Sequence, residues 1–100
     1  MNISVVELKD RYTQSENLHI IDVRNELEFH TYNIGGENIP LGKLIRLIDE
    51  LDYNKDEEII VVCQHGIRSE TARCLLRDHG YLHVKNLTGG LLAWRKMNTK

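Results

Sequence analysis

The chain has 100 residues, 41% of them hydrophobic and 28% charged, with a formal net charge of −2. That length suffices for a single domain with one core over residues 1–100 and leaves no room for a second, while the mixing of acidic and basic residues argues against a nucleic-acid groove or an anionic-membrane surface. No apolar run approaches membrane-spanning length, no repeat or low-complexity segment occurs, and Met1-Asn2-Ile3 lacks the character of a secretory signal, so a cytoplasmic location is expected by default.

In chain order, Ser4-Val5-Val6-Glu7 reads as a capping pattern opening a helix, with Val5, Leu8 and Tyr12 at helical spacing. Gln14 to Asn17 is a polar loop, Leu18 to Val23 a central strand, and about Asn25 to His30 a short helix. The Gly35-Gly36 turn leads to a brief strand ending at Pro40. Leu41, Leu44, Ile45, Ile48 and Leu51 then share one helical face, with Lys43, Arg46, Asp49 and Glu50 on the other. Asp52 to Glu58 is a charged turn.

Ile59-Ile60-Val61-Val62 is β-branched and continuous, as expected of a parallel strand covered on both faces. From Ser69 onward, Ala72, Leu75, Leu76 and His79 recur at helical spacing, with Arg73 and Arg77 on another face and Gly80 as the stop. Val84 to Leu87 is a short strand, and Gly89-Gly90 turns into the last helix. Strands alternating with helices predict an α/β fold with a parallel sheet and right-handed crossovers.

Between the β-branched strand and the helix lies Cys63-Gln64-His65-Gly66-Ile67-Arg68-Ser69. Ligands of open α/β sheets bind at this end of the strands, beside helix N-termini. A loop there presents a crown of backbone N–H groups, which favours a thiolate over a thiol, and Gly66 supplies the backbone freedom that a tight cradle needs. On the loop alone, Cys63 reads equally well as a small buried hydrophobe ending a strand. The two cysteines, Cys63 and Cys74, form no disulfide framework, and Cys74 is expected to pack within its helix. Cys63 and His65 lack tetrahedral ligand spacing, and His19, His30, His79 and His83 are scattered with no Cys-x-x-Cys partner, so no zinc site is expected.

The Cys-x-x-Gly-x-Arg-Ser loop resembles the active-site loop of the rhodanese sulfurtransferases. Ile20-Ile21-Asp22-Val23-Arg24, followed by Glu26, Glu28 and Phe29, resembles that family's Asp-Val-Arg strand end and acidic-aromatic helix. Gly89-Gly90-Leu91-Leu92-Ala93-Trp94 resembles its closing Gly-Gly-x-x-Ala-Trp signature, so three motifs occur in order between Ile20 and Trp94. One departure is Tyr32-Asn33-Ile34-Gly35-Gly36-Glu37-Asn38-Ile39-Pro40, one residue shorter than the family's usual connection and with Asn33 where histidine is usual.

The resemblance implies a rhodanese-like, mainly parallel sheet flanked by helices on both sides, in the single-domain form. It implies sulfur transfer, with a donor such as thiosulfate passing its outer sulfur to Cys63 and a thiol, including a protein thiol, or cyanide accepting it from the persulfide, a cycle for which no metal or organic cofactor is expected. Cys63 is then the catalytic residue, and Gln64, His65, Gly66, Ile67, Arg68 and Ser69 are the substrate-binding cradle. Gln64, His65 and Ile67 form its wall. Arg68 either orients the donor's oxyanion or braces the loop; the alternative is a solvated arginine, although a helix N-terminus disfavours a cation. Asp22 and Arg24 are expected to hydrogen-bond neighbouring loops, with an ion pair between the strand ends and the helices as the alternative, Gly89 and Gly90 to permit close backbone approach, and Trp94 to cover the core.

Two other functions fit the same loop. Small phosphatases and arsenate reductases also place a cysteine in an amide cradle closed by arginine, commonly with five residues between the two, whereas four separate Cys63 from Arg68. A catalytically silent rhodanese-like binding module is the other, although such modules often lack the cysteine.

Overall fold

The computed structural model describes residues 1–14 and 16–98. In chain order these form β1 (Asn2–Ile3), α1 (Val5–Thr13), β2 (Ile20–Asp22), α2 (Glu26–Thr31), β3 (Glu37–Asn38), α3 (Leu41–Leu47), a 3₁₀ turn (Ile48–Glu50), β4 (Glu58–Val62), α4 (Ile67–Asp78), β5 (His83–Leu87) and α5 (Gly90–Asn98). The strands make one sheet in the order β1-β5-β4-β2-β3, and every pairing is parallel.

Side-chain alternation along β4 sorts the helices into two layers. Ile59 and Val61 point into a cluster with Ile21, Leu44, Ala72 and Leu76, which draws α3 and α4 onto one face. Ile60 and Val62 point the other way, onto Ile3, Leu8, Ile20 and Leu91, which draws in α1 and α5. The expected α/β sheet with helices on both sides is therefore the observed one. Both clusters exclude water, so the continuous apolar run in β4 has its cause in burial on two faces. Trp94 packs against the α1–α5 cluster with its ring 5.5 Å from that of Tyr12, in the covering role expected of it.

Four local expectations are corrected. β1 is unanticipated, because two residues carry no readable period; it forms by pairing with Asn86 and Leu87 of β5. Ile45, placed on the apolar face of its helix, is 51% exposed. The helix ends at Leu47 and tightens into the 3₁₀ turn, where i and i+3 eclipse, so Ile48 and Leu51 stay inward and the buried stripe is too narrow to include Ile45. His79, placed with the inward residues of α4, is exposed and sits at the helix C-cap. α4 itself begins at Ile67, two residues earlier than the spacing suggested. The expected Gln14–Asn17 loop includes Ser15, which lies outside the described residues.

Other local signals hold. Ser4 Oγ accepts the Glu7 N–H at 3.1 Å, giving α1 its cap. The shortened connection is organised by Asn33, whose side chain accepts the Gly35 N–H at 2.8 Å and donates to the Phe29 carbonyl at 2.9 Å. No helix among the described residues is long and apolar enough to cross a membrane.

Candidate active site

β4 is flanked by β2 and β5, so the loop after Val62 emerges at the carboxyl rim of the sheet between Asp22 and the end of β5. Gly66 occupies the N-cap of α4 at φ 92°, a left-handed conformation that folds the loop back over Cys63. Glycine also lacks a capping side chain, which leaves the first-turn N–H groups of α4 without their usual acceptor. The cysteine takes that place. Cys63 Sγ accepts the Gly66 N–H at 3.1 Å and the Ser69 N–H at 3.3 Å, and Ser69 is the third residue of the helix.

Cys63 is 1% exposed, which by itself fits an inert core cysteine; two amide donors on its sulfur do not. They place the positive end of α4 at the sulfur. The loop is held from behind by α5, whose Leu91 and Leu92 N–H groups donate to the Cys63 and Gln64 carbonyls at 2.8 and 3.0 Å. The expected close approach is at Gly90, where a Cβ would lie 2.5 Å from each of those two carbonyl oxygens.

The remaining cradle residues separate. Ser69 is fully buried, with Oγ 3.1 Å from Cys63 Sγ. Gln64 is half-buried and shares with Arg24, Glu28 and Arg95 the lining of a cleft of about 450 Å³. His65 and Ile67 face outward, Ile67 being 76% exposed. Arg68 is no freely solvated side chain. It makes a two-pronged contact with Glu28 of α2, at 2.8 and 3.0 Å, which answers why a cation is tolerated at this helix start. Hydrogen bonding to Glu28 is the main reason the Arg68 guanidinium is held more firmly protonated than usual, with a smaller contribution from the charge of Cys63.

Glu28 has a second task, because its side chain also accepts the Asn25 N–H in the capping box of α2. The Arg68 hydrogen bonds, foremost, hold its carboxyl at about 2, below its usual 4.5. A carboxylate depressed on folding stabilises above its unfolded value and ceases to as pH falls towards the folded one. Glu28→Gln should therefore lower the melting temperature at neutral pH, modestly because the pair is partly exposed, and should flatten part of the loss between about pH 4.5 and 2. Identical acid-melting profiles for the two proteins would exclude a stabilising role for the pair.

Arg24 reaches a neighbouring segment as expected, but the ion pair of Asp22 and Arg24 is with each other rather than between the strand end and a helix. The guanidinium pairs with Asp22 at 2.8 Å and also donates to the Tyr32 carbonyl at 2.6 Å, tying the end of β2 to the segment after α2. Asn38 completes the rim by donating to the carbonyls of Asp22 and Arg24. Cys74 is half-buried on α4 and, like Cys63, unpaired.

Two residues escaped the sequence reading. Glu28 was visible only as one acid of a short helix. Asn86 sits on the β5 face that Val84 buries against α4, and is 6% exposed. Its side chain reaches Ser69 Oγ at 2.5 Å, the Gly66 carbonyl at 3.0 Å and Glu70 at 3.3 Å. The available signal was an amide at a position where strand alternation calls for an apolar side chain.

Comparison with known proteins agrees with the fold. The family described as Rhodanese-like domain matches residues 4–97. The thiosulfate sulfurtransferase GlpE of Shewanella oneidensis is 33% identical over 87 residues, covering 86% of this chain and 84% of that protein. The putative sulfur carrier protein YrkF of Bacillus subtilis is 34% identical over 93 residues, covering 92% of this chain; the chain spans only 49% of that relative. Among solved structures, a rhodanese-like domain protein from Staphylococcus aureus superposes with a TM-score of 0.82 at 30% identity, over 94% of this chain and 91% of the other.

Proposed function

The chain belongs to the rhodanese-like domain family, and from that premise we propose that it is a rhodanese-type sulfurtransferase acting through a persulfide on Cys63. The observation that carries the proposal is the pair of amide donors, Gly66 N–H and Ser69 N–H, on a buried sulfur at the start of α4. Sulfurtransferase and sulfur-carrier names among the relatives support the same class of chemistry.

In the first half-reaction the Cys63 thiolate attacks the outer sulfur of a donor such as thiosulfate. A bond forms from Sγ to that sulfur, the bond between the donor's two sulfurs breaks, and its electron pair leaves with sulfite. In the second, a thiolate or cyanide attacks the outer sulfur of the persulfide, and the electron pair of the breaking bond returns to Sγ. No external oxidant or reductant enters. The sulfane sulfur carries the negative charge in the intermediate, and charge-assisted hydrogen bonds from loop amides contribute on the order of 1.5 to 3 kcal/mol each to holding it. Arg68, steered by Glu28 at the rim of the cleft shared with Gln64, is the group assigned to the anionic end of the donor, and Gln64, His65 and Ile67 are assigned to the wall that meets donor or acceptor. A reducing compartment, taken here as the cytoplasm, suits a chain that keeps both cysteines as free thiols.

Intact-mass spectrometry tests the proposal. Thiosulfate should add one sulfur atom per chain, a thiol reductant should remove it, and steady-state transfer to cyanide should show the parallel double-reciprocal lines of a ping-pong cycle. Intersecting lines with no mass increment under any donor would refute the covalent cycle.

A further inference from the structure

The hydroxyl of Ser69 has one proton and two acceptors to serve. Its oxygen lies 2.5 Å from Asn86 Oδ1 and 3.1 Å from Cys63 Sγ. The Asn86 amide cannot turn over, because its Nδ2 donates to the Gly66 carbonyl and to Glu70, both of which only accept. Its oxygen, also an acceptor only, is therefore fixed towards Ser69. While Cys63 is a thiol every group is satisfied, since the S–H donates to Ser69 Oγ and the O–H donates to Asn86. Once the sulfur is an anion it can only accept, and sulfur and amide oxygen then compete for the same proton in a site closed to water.

We propose that Asn86 is a positioning residue that acts through Ser69, drawing the hydroxyl proton away from the Cys63 sulfur and so restraining the free cysteine. This rests on the reading of Cys63 as the nucleophile. In the persulfide the charge moves to the outer sulfur, Sγ becomes a weak acceptor, and the hydroxyl returns to Asn86 without loss. The arrangement thus favours the sulfur-loaded enzyme over the bare thiolate, because only in the latter do two buried acceptors compete for the one hydroxyl proton, leaving the sulfur with its two amide donors alone when Asn86 wins it.

The charged groups around this relay are Arg68 and Glu70 on α4, Arg73 paired with Glu70, the Asp22–Arg24 pair at the end of β2, Glu28 on α2 acting through Arg68, exposed His65 in the loop, and Arg95 on α5 across the cleft. Asn86→Leu keeps a side chain of similar size but also removes the hydrogen bonds to Glu70 and the Gly66 carbonyl, so the proton contest is isolated by comparing the substitution with and without the Ser69 hydroxyl.

The test measures iodoacetamide alkylation of the full chain in a Cys74→Ser background between about pH 5 and 9. Asn86→Leu should raise the rate on the acidic limb roughly five- to tenfold and leave the alkaline plateau unchanged. In a Ser69→Ala background the same substitution should have no effect on the profile, since no hydroxyl remains to be redirected. If Asn86→Leu lacks a cooperative melting transition, Asn86→Ala is held to the same criteria. An unchanged acidic limb overturns the proposal, as does an equal acceleration with and without the Ser69 hydroxyl, which would assign Asn86 to clamping Gly66 and Glu70 alone. Alkylation requires no sulfur donor, so a shifted profile in a protein that never forms a persulfide would defeat the sulfurtransferase reading and leave this one standing.

Discussion

Cys63→Ser is expected to reduce thiosulfate-dependent thiocyanate formation by about a thousandfold or more and to abolish the one-sulfur mass increment. A serine hydroxyl is not ionised near neutral pH, and it can carry no persulfide, so both half-reactions are lost together. The substitution is small, and the hydroxyl can still accept from Gly66 and Ser69 N–H groups that cap α4, so the melting temperature should change little. Cys74→Ser serves as the control. That side chain is half-buried on α4, six residues beyond Arg68, and its removal should leave transfer within about twofold. A sulfur that maps to Cys74, or substantial transfer by Cys63→Ser, would overturn the site assignment. The same preparations distinguish the phosphatase alternative. With four residues between Cys63 and Arg68 the cradle closes on one sulfur, and hydrolysis of aryl phosphates by the unaltered protein should be negligible.

Gly90→Ala should damage both stability and the active-site loop. Gly90 has φ 66°, a region that costs a side chain roughly 1 kcal/mol or more, and the added Cβ would lie 2.5 Å from the carbonyl oxygens of Cys63 and Gln64. Those atoms are backbone, held by Leu91 and Leu92 N–H groups, so they cannot yield as a flexible side chain would. Relief requires α5 to retreat from the loop. The expected result is a destabilisation of about 2 to 4 kcal/mol in denaturant melts, with sulfur loading at low temperature slowed at least tenfold because the cradle loses its rear support. A variant with unchanged stability and unchanged loading would show that α5 does not set the position of the Cys63 carbonyl.

The place of Cys63 in the fold was legible from order along the chain, as four β-branched residues, a cysteine, a glycine three residues on, and a helical period after it; its role as nucleophile was carried by the family resemblance. The run Ile59 to Val62 demands a strand buried on both faces, a strand so buried requires parallel neighbours and covering helices, and the loop at its carboxyl end is where such sheets bind ligands. The Gly-Gly pair announced a tight approach in the same local way, and the Ser4 cap marks a helix start within three residues of sequence.

What crosses between elements was not legible. Glu28 and Arg68 lie 40 residues apart, and nothing in either helix says that their side chains meet until β2 and β4 are neighbours and bring α2 to the start of α4. Asn86 needed the sheet order as well, since β5 reaches α4 only by lying beside β4. Even the two-residue β1 exists only because β5 offers it an edge. Local signals record choices that a segment makes against its own backbone and against water, which residues close in sequence decide by themselves. Partnerships among polar groups that leave water together depend on which segments pack, and that is settled by the burial of all the apolar faces at once.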